Sequence, residues 1–375
     1  MSMAVCKPMS EDIEISLAPM MDVTTPQFRR LVRMTSKSTV LFTEMIVCST
    51  VVHVAREKLL EMVGEYDART VVQIGGSNAS EIVEAVKILQ RLGYKEFNLN
   101  CGCPSPRVKK GCFGAILMLR KQLVAEIINR VHCDTGVILS LKIRTGVDEH
   151  DGIGFLDDFV TYVKMSTACR SFYVHARKCW LSGLSPKQNR HVPALDYGSV
   201  YAIKQLHPDL KIVLNGCIDA DGLDKLCNLD GLMIGRESMK NIFVFWEIDR
   251  KIGRDGFIGG ESSTDGIIVD AGSGDNCKEQ ELIDSNAKKN MMHDVIGRYF
   301  DWYGKEKEMR IWDVQPMMNL MAGKKGCKAY RQMLGEIVRW RECAEEACRR
   351  IMNFLDMNHD CGRVNEPLYI DGACD

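Results

Sequence analysis

The sequence contains no apolar run of eighteen residues, and its start shows no basic stretch followed by an apolar segment. The first absence argues against a membrane-spanning helix, and the second gives no indication of a secretory signal peptide. The formal net charge of −1 is too small to indicate a partner held by bulk charge. We therefore expect a cytoplasmic protein with no membrane partner, in which any nucleic acid would bind to local basic patches.

Sixteen cysteines would indicate a disulfide scaffold in a short secreted protein. Here they are scattered through 375 residues of which 46% are hydrophobic, enough for a large domain and a smaller one. We expect most of these thiols to be small buried side chains in a reducing compartment. Three of them, Cys101, Cys103 and Cys112, share the short segment FNLNCGCPSPRVKKGCFGA. That concentration of thiols requires a separate explanation.

Eight short β-rich runs alternate with amphipathic segments. The runs lie at residues 15–20, 40–45, 71–76, 96–100, 137–144, 172–176, 211–216 and 231–235. Between the third and the fourth, SNASEIVEAVKILQRLG has apolar residues at helical spacing and Gly93 as a stop, which predicts a β-α-β unit. The alternation predicts an α/β fold, a parallel (β/α)8 TIM barrel. A doubly wound sheet is the alternative, but no G-x-G-x-x-G motif follows the first run.

The chain changes character after the predicted barrel, which we assign to residues 1–250. Residues 251–288 are rich in Gly, Ser and Asp, and we predict a disordered polar insert there. Helical patterning returns in residues 289–356, which predicts a small C-terminal helical domain. The tail, residues 357–375, has no usable periodicity.

Candidate site residues fall at or near the ends of the predicted strands, where barrel enzymes carry their reactive groups. They are Met20, Glu44, Gln73, Asn100, Lys142, Arg144, His175, Asn215, Gly235 and Arg236. Each of them alone has a structural explanation, such as a core position for His175. Together their amide, imidazole, ammonium and guanidinium groups favour a pocket for a polar heterocycle joined to a phosphate. The Gly-rich turns NGCIDA and IGRES favour the phosphate at the last two loops.

Seven segments of the sequence resemble the tRNA-dihydrouridine synthases, FMN-dependent barrel enzymes with a C-terminal helical tRNA-binding domain. The segments are APMMDVT (18–24), VVQIGG (71–76), FNLNCGCPSPRVKKGCFGAILM (97–118), LKIRTG (141–146), VHARKCWLSGLSPKQNR (174–190), VLNGCI (213–218) and MIGR (233–236). The fifth segment resembles the bacterial subfamily A, whose members modify the tRNA D-loop around position 20. The polar insert, the residues after IGR and Cys112 depart from the family pattern.

The resemblance implies the reduction of D-loop uridines at position 20 or 20a to 5,6-dihydrouridine, with NADPH as reductant. Reducing uracil requires a hydride from reduced FMN at C6 and a proton delivered to C5 by a positioned acid. Cysteine can act as this acid, because a free thiol titrates at about pH 8.5 and is therefore protonated at neutral pH yet able to release its proton. By resemblance to the family's N-x-G-C-P motif, Cys103 is that acid. Cys112 is the rival acid on the same loop, whereas Cys101 is expected to pack in the barrel wall.

The resemblance also implies a set of FMN contacts. The residues are Pro19, Met20, Met21, Gln73, Lys142, His175, Asn215, Gly216, Gly235 and Arg236. The first three would pack against the isoalloxazine ring, the next three would bind its polar edge, ribityl chain or phosphate, and the last four would hold the phosphate. A cation at Lys142 would also stabilise the anionic reduced flavin.

The expected partner is tRNA, bound by a monomer that needs no metal ion. Asn100 and Arg144 would face the uracil edge. Arg177 and Lys178 are available to RNA phosphates, although a solvated basic turn explains this pair equally well. In the helical region GKKGCKAYR sets four cations beside Tyr330, and the alternative there is a solvated helix start. These cations are Lys324, Lys325, Lys328 and Arg331.

Two other function classes stay open. A small-molecule FMN-dependent dehydrogenase of the dihydroorotate or dihydropyrimidine type would share the barrel and the cofactor, but it does not explain the helical region. A non-catalytic RNA-binding barrel would explain that region and would be colourless. A visible absorption spectrum therefore separates the flavoenzymes from the binding protein.

Overall fold

The computed structural model of the protein describes residues 13–254, 274–322 and 324–358. These residues form two compact units. The first consists of residues 13–29 and 38–239, and the second of residues 30–37, 240–254, 274–322 and 324–358. No helix in the described ranges is both long enough and apolar enough to cross a membrane.

The first unit is built around parallel strands that close into a barrel. The strands are β1 (Glu14–Leu17), β2 (Val40–Phe42), β3 (Ile46–Val47), β4 (Thr70–Gly75), β5 (Glu96–Asn100), β6 (Ser140–Arg144), β7 (Ser171–His175), β8 (Lys211–Asn215) and β9 (Gly231–Ile234). Strands β2 and β3 share one of the eight positions, because both pair with β4, and the pairing of Leu41 with Thr70 closes the ring. The predicted (β/α)8 barrel is confirmed.

Helices separate most successive strands and continue beyond the barrel. They are α1 (Pro26–Thr35), α2 (Cys48–His53), α3 (Arg56–Val63), α4 (Ala79–Arg91), α5 (Pro106–Lys110), α6 (Lys121–Thr135), α7 (Gly152–Ser166), α8 (Tyr197–Leu206), α9 (Glu237–Lys240), α10 (Val244–Lys251), α11 (Gly274–Tyr303), α12 (Ile311–Val314), α13 (Cys327–Arg339) and α14 (Ala344–Asn358). The predicted helix α4 begins after Asn78, whose side chain accepts a hydrogen bond from the backbone N–H of Glu81. Gly93, at φ +98°, ends this segment as expected.

Apolar side chains fill the barrel interior. One buried cluster consists of Ala18, Val40, Phe42, Val71, Tyr173, Val213 and Met233. The rings of Phe42 and Tyr173 meet edge to face, with 4.9 Å between their centroids. Because the interior is packed, a ligand has room only at the ends of the strands and in the loops that follow them.

The second unit begins earlier in the chain than the predicted boundary at residue 250. Lys288 on α11 forms an ion pair with Glu247 on α10, at 2.5 Å, and its ammonium lies 5.9 Å from the ring centroid of Phe243. These contacts join residues 240–254 to the later helices.

Helix α11 corrects the prediction of disorder for residues 274–288, because it begins at Gly274. This stretch is polar, but its segment EQELIDSNAKK is rich in residues with high helix propensity. Residues 255–273 of the predicted insert, and the predicted tail from residue 359 onward, lie outside the described residues.

Candidate active site

The parallel register brings the predicted polar residues together at the carboxyl ends of the strands. Asn100 on β5 is paired with Lys142 on β6, and Arg144 on β6 is paired with His175 on β7. His175 is in turn paired with Asn215 on β8. Neighbouring strands are about 4.8 Å apart. The site predicted from the ends of separate sequence runs is therefore one continuous arc in the structure.

Buried amides form the first part of this arc. Gln73 Nε2 donates to Asn98 Oδ1 at 2.8 Å, and Gln73 Oε1 accepts from Asn100 Nδ2 at 2.8 Å. Asn98 Nδ2 continues the chain to Ser140 Oγ at 3.0 Å. The chain of bonds fixes the orientation of each amide. The sequence interpretation missed Asn98, although its position two residues before Asn100 places both on the same face of the strand.

The loop after β5 holds Cys103 from several sides. Asn100 Oδ1 accepts hydrogen bonds from the backbone N–H groups of Gly102, at 3.1 Å, and Cys103, at 2.9 Å. The carbonyl of Cys103 accepts from the backbone N–H of Ala115 at 2.9 Å, which closes the loop. Cys103 is half-buried at the site.

The other two thiols of the segment lie in different surroundings. Cys101 is fully buried, as predicted for a wall position, and burial raises its pKa. Cys112 is exposed and has φ +56°, a backbone conformation that non-glycine residues rarely adopt.

Lys142, at the centre of the arc, is half-buried and bonded to an amide. Lys142 Nζ donates to Asn215 Oδ1 at 3.0 Å, and Asn215 Nδ2 donates to the Met233 carbonyl at 2.8 Å. Burial in the barrel wall, together with the charge of Arg144, lowers the pKa of Lys142 to about 7. Burial and the charges of Arg144 and Lys142 also lower the pKa of His175 well below its usual value. His175 is therefore neutral at neutral pH.

Lys142→Met should remove a pH dependence from the stability of the ligand-free protein. Folded Lys142 titrates at about pH 7, whereas an unfolded lysine titrates at about pH 10.4. Between these values the unfolded chain binds a proton that the folded chain lacks, so the parent protein becomes more stable as pH rises through this window. Below pH 7 both states are charged, and the cost of burying the ammonium is complete.

We expect the Tm of Lys142→Met minus that of the parent to be largest at about pH 6 and to shrink towards about pH 10. Thermal unfolding across this range, read by circular dichroism, measures the difference. A difference that stays constant with pH would show that Lys142 keeps an ordinary pKa.

The end of the arc carries positive charge. Arg236 Nη1 donates to His191 Nε2 at 2.6 Å, and its Nη2 donates to the Arg190 carbonyl at 3.4 Å. Within the described ranges, none of Lys142, Arg144, Arg177 and Arg236 pairs with a carboxylate. The described residues also contain no group of three or more His, Cys, Asp and Glu that could hold a metal ion. The groups available to a ligand are cations and amides, which suit an anion.

The turns after β8 and β9 add backbone to this end of the site. Gly216 has φ +133°, and a Cβ placed there would lie 3.3 Å from His175 Cδ2, so the glycine allows the turn to pass close to the imidazole. A Cβ at Gly235 would lie 3.8 Å from Met20 Sδ, which brings the end of β9 close to the segment after β1. Of the residues predicted to contact a flavin ring, Pro19 and Met20 are half-buried and Met21 is 43% exposed.

Arg177 is buried, which differs from the accessible basic turn expected from the sequence. Its guanidinium is buried and donates to the carbonyls of Pro193 and His191, because the loop after β7 folds back over it. Lys178 is half-buried, forms an ion pair with Asp151 at 2.5 Å and lies over the ring of Trp180.

The basic residues predicted in the helical region lie at the start of α13. Lys325 and Lys328 are exposed, and Lys324 is half-buried. Arg331 donates to Asn319 Oδ1 at 3.2 Å. Tyr330 is fully buried, which corrects its assignment to the basic surface. It shares the apolar face of α13 with residues three to seven positions away, so helical periodicity places it in the core.

Comparison with known proteins adds an independent line of information. Residues 16–256 match the family model described as Dihydrouridine synthase (Dus). A Salmonella typhi protein named tRNA-dihydrouridine(20/20a) synthase is 39% identical over 239 residues, covering 63% of this chain and 71% of that protein. The Vibrio parahaemolyticus protein of the same name is 39% identical over 246 residues, 65% of this chain and 75% of that protein. The Escherichia coli K12 protein of this name is 39% identical over 239 residues, which cover 63% of this chain and 69% of that protein.

Proposed function

Because the chain belongs to the dihydrouridine synthase family, we propose that it reduces D-loop uridines of tRNA at position 20 or 20a, with FMN as cofactor and NADPH as reductant. One observation carries the proposal. Cys103 is held on a hydrogen-bonded loop beside cations that have no carboxylate partner among the described residues. A proton donor and an anion site are both needed to reduce a base with a phosphate-bearing cofactor.

The residues at the carboxyl end of the barrel fit FMN. Arg236 and His191, with the backbone of Gly216 and Gly235, would hold the phosphate, whose charge the cations of the site would balance. Lys142 and the neutral imidazole of His175 would bind the polar edge of the ring or the ribityl chain. A bound anion favours the charged form of Lys142 and raises its pKa from about 7. When bound, reduced FMN supplies the hydride for C6 of the uracil ring.

Cys103 would deliver the proton to C5. The Sγ–H bond breaks, the proton forms the new C–H bond, and the thiolate is left on the loop. Asn100 orients the peptide that precedes Cys103, while Gln73 and Asn98 hold Asn100 in turn. Cys112 is the weaker candidate, because it is exposed on a strained turn.

The tRNA would be bound as a single folded molecule by one copy of the chain. Its target base must leave the stack to reach Cys103, at an unstacking cost of a few kcal/mol. We propose that Lys325 and Lys328, with Lys324 and Arg331, contact RNA phosphates, because the first two present exposed ammonium groups. The free energy of these contacts would offset the unstacking cost. Lys178 would contact RNA phosphates at the rim of the barrel.

The purified protein should be yellow and should release about one FMN per chain on denaturation. Arg236→Ala should hold FMN about tenfold to a hundredfold less tightly, since hydrogen bonds to charged groups are the stronger ones. Flavin absorbance measures the FMN content, and fluorescence titration of protein from which FMN has been removed measures the affinity. Arg130→Ala is the matched control, because it removes an exposed arginine paired with Asp134 on α6. A colourless protein that takes up no added FMN would exclude the proposal and would favour the non-catalytic barrel.

A further inference from the structure

The peptide unit between Gly102 and Cys103 is held at both of its ends. Arg144 Nε donates to the Gly102 carbonyl oxygen at 2.7 Å, and the Cys103 N–H donates to Asn100 Oδ1 at 2.9 Å. These two polar groups belong to one planar unit. Fixing both of them fixes the plane itself, and with it the direction in which the chain enters the Cα of Cys103.

Arg144 also reaches a second loop. Its Nη1 donates to the carbonyls of Lys178 and Asn189, both at 3.2 Å. Asn189 is fully buried, and its side chain exchanges two hydrogen bonds with the backbone of Trp180, at 2.8 and 2.9 Å. The guanidinium therefore joins the Cys103 loop to the loop after β7, which the hydrogen bonds of Asn189 hold in place.

The surroundings of Arg144 suit a side chain that holds several backbone carbonyls better than one that contacts a ligand. The side chain is 5% exposed, and its three hydrogen bonds above all go to backbone carbonyls. A planar guanidinium can meet several carbonyls at fixed angles, whereas a lysine ammonium acts as one point charge. Removing it would leave the Gly102 carbonyl without its charged donor.

We propose that Arg144 is a positioning residue that fixes Cys103 for proton delivery, by holding the Gly102 carbonyl and tying it to the loop after β7. The proposal rests on the proposed function, in which Cys103 is the proton donor. It replaces the expectation that Arg144 faces the uracil edge. On this proposal the side chain acts through the Cys103 peptide and contributes little to tRNA affinity.

The test compares Arg144→Met and Arg144→Lys with the parent, and Arg130→Met serves as the control. The first readout is deuterium uptake in the peptide covering residues 101–113 of the purified protein. We expect exchange near Cys103 to be about tenfold faster in Arg144→Met, because one charge-assisted hydrogen bond is lost. Arg144→Lys should restore the slow exchange of the parent only in part, since lysine keeps the charge but lacks the planar guanidinium.

The second readout is single-turnover reduction of tRNA together with the Kd for tRNA. Base reduction should slow about 10²-fold in Arg144→Met, while the Kd stays within about twofold of the parent value. Unchanged deuterium uptake with a weaker Kd would overturn the proposal and make Arg144 a uracil contact. If Arg144→Met does not fold, Arg144→Lys carries the same comparison. If even the parent reduces no tRNA, the proposed function fails, and deuterium uptake still decides whether Arg144 holds the loop.

Discussion

Cys103→Ala should slow reduction of the tRNA base by about 10²–10⁴-fold, the typical contribution of a general acid. The protein should keep its FMN and its affinity for tRNA, because the hydrogen bonds around residue 103 are made by backbone groups that alanine retains. Single-turnover conversion of tRNA by pre-reduced protein is the measurement, since it separates base reduction from reduction of the cofactor by NADPH.

The other two thiols of the segment supply matched controls. Cys112→Ala should behave like the parent, because the side chain is exposed. Cys101→Ala should lower the Tm more than the rate, because it removes atoms from a fully buried site in the barrel wall. If Cys112→Ala slows the base-reduction step and Cys103→Ala leaves it unchanged, the acid is Cys112.

Gly114→Ala should disable the same loop without touching its thiols. Gly114 has φ +70°, and an added Cβ would lie 2.5 Å from the carbonyl oxygen of Cys103 and closer still to Val108 Cγ1. Real Cβ atoms do not approach a backbone oxygen this closely, so the carbonyl that closes the loop with Ala115 has to move. We expect base reduction to slow about 10²-fold, because small displacements of a reacting group have effects of this size.

Gly136→Ala separates this contact from backbone strain. Gly136 has φ +74°, but an added Cβ there meets no atom within 4 Å. Both substitutions carry the same left-handed strain of about 1–2 kcal/mol, which lowers the Tm of each. Only Gly114→Ala should lose catalysis as well. Equal effects of the two variants on the single-turnover rate would show that the position of the Cys103 carbonyl is unimportant.

The sequence predicted the parts of the fold that depend on local pattern. The strands, the N-cap and stop of α4, and the buried wall position of Cys101 all follow from periodicity or from residues a few positions apart. The run at residues 40–45 was expected to be one strand. In the structure β2 ends at Phe42, three residues before the end of this run, and the short β3 begins at Ile46, just beyond it. Between the two strands, the Thr43 hydroxyl donates a hydrogen bond to the carbonyl of Glu44.

Side-chain partners from distant parts of the chain could not be predicted. From the family resemblance, Arg144 was expected at the uracil edge, and Arg177 either at RNA phosphates or in a solvated basic turn. In the structure both guanidinium groups donate to carbonyls on the loop after β7, and one partner of Arg144 is 45 residues away in the sequence. Arg144 also donates to the Gly102 carbonyl on the loop after β5. Periodicity does not carry such information. The hydrogen bond between Arg236 and His191, 45 residues apart, likewise became visible only in the structure.

The decisive experiment incubates the purified protein with NADPH and an unmodified tRNA transcript and maps dihydrouridine by mass spectrometry. We expect dihydrouridine at position 20 or 20a with the parent protein and far less in the same time with Cys103→Ala. A parent protein that contains FMN, oxidises NADPH and yet leaves every uridine of the tRNA unchanged would contradict the proposed function.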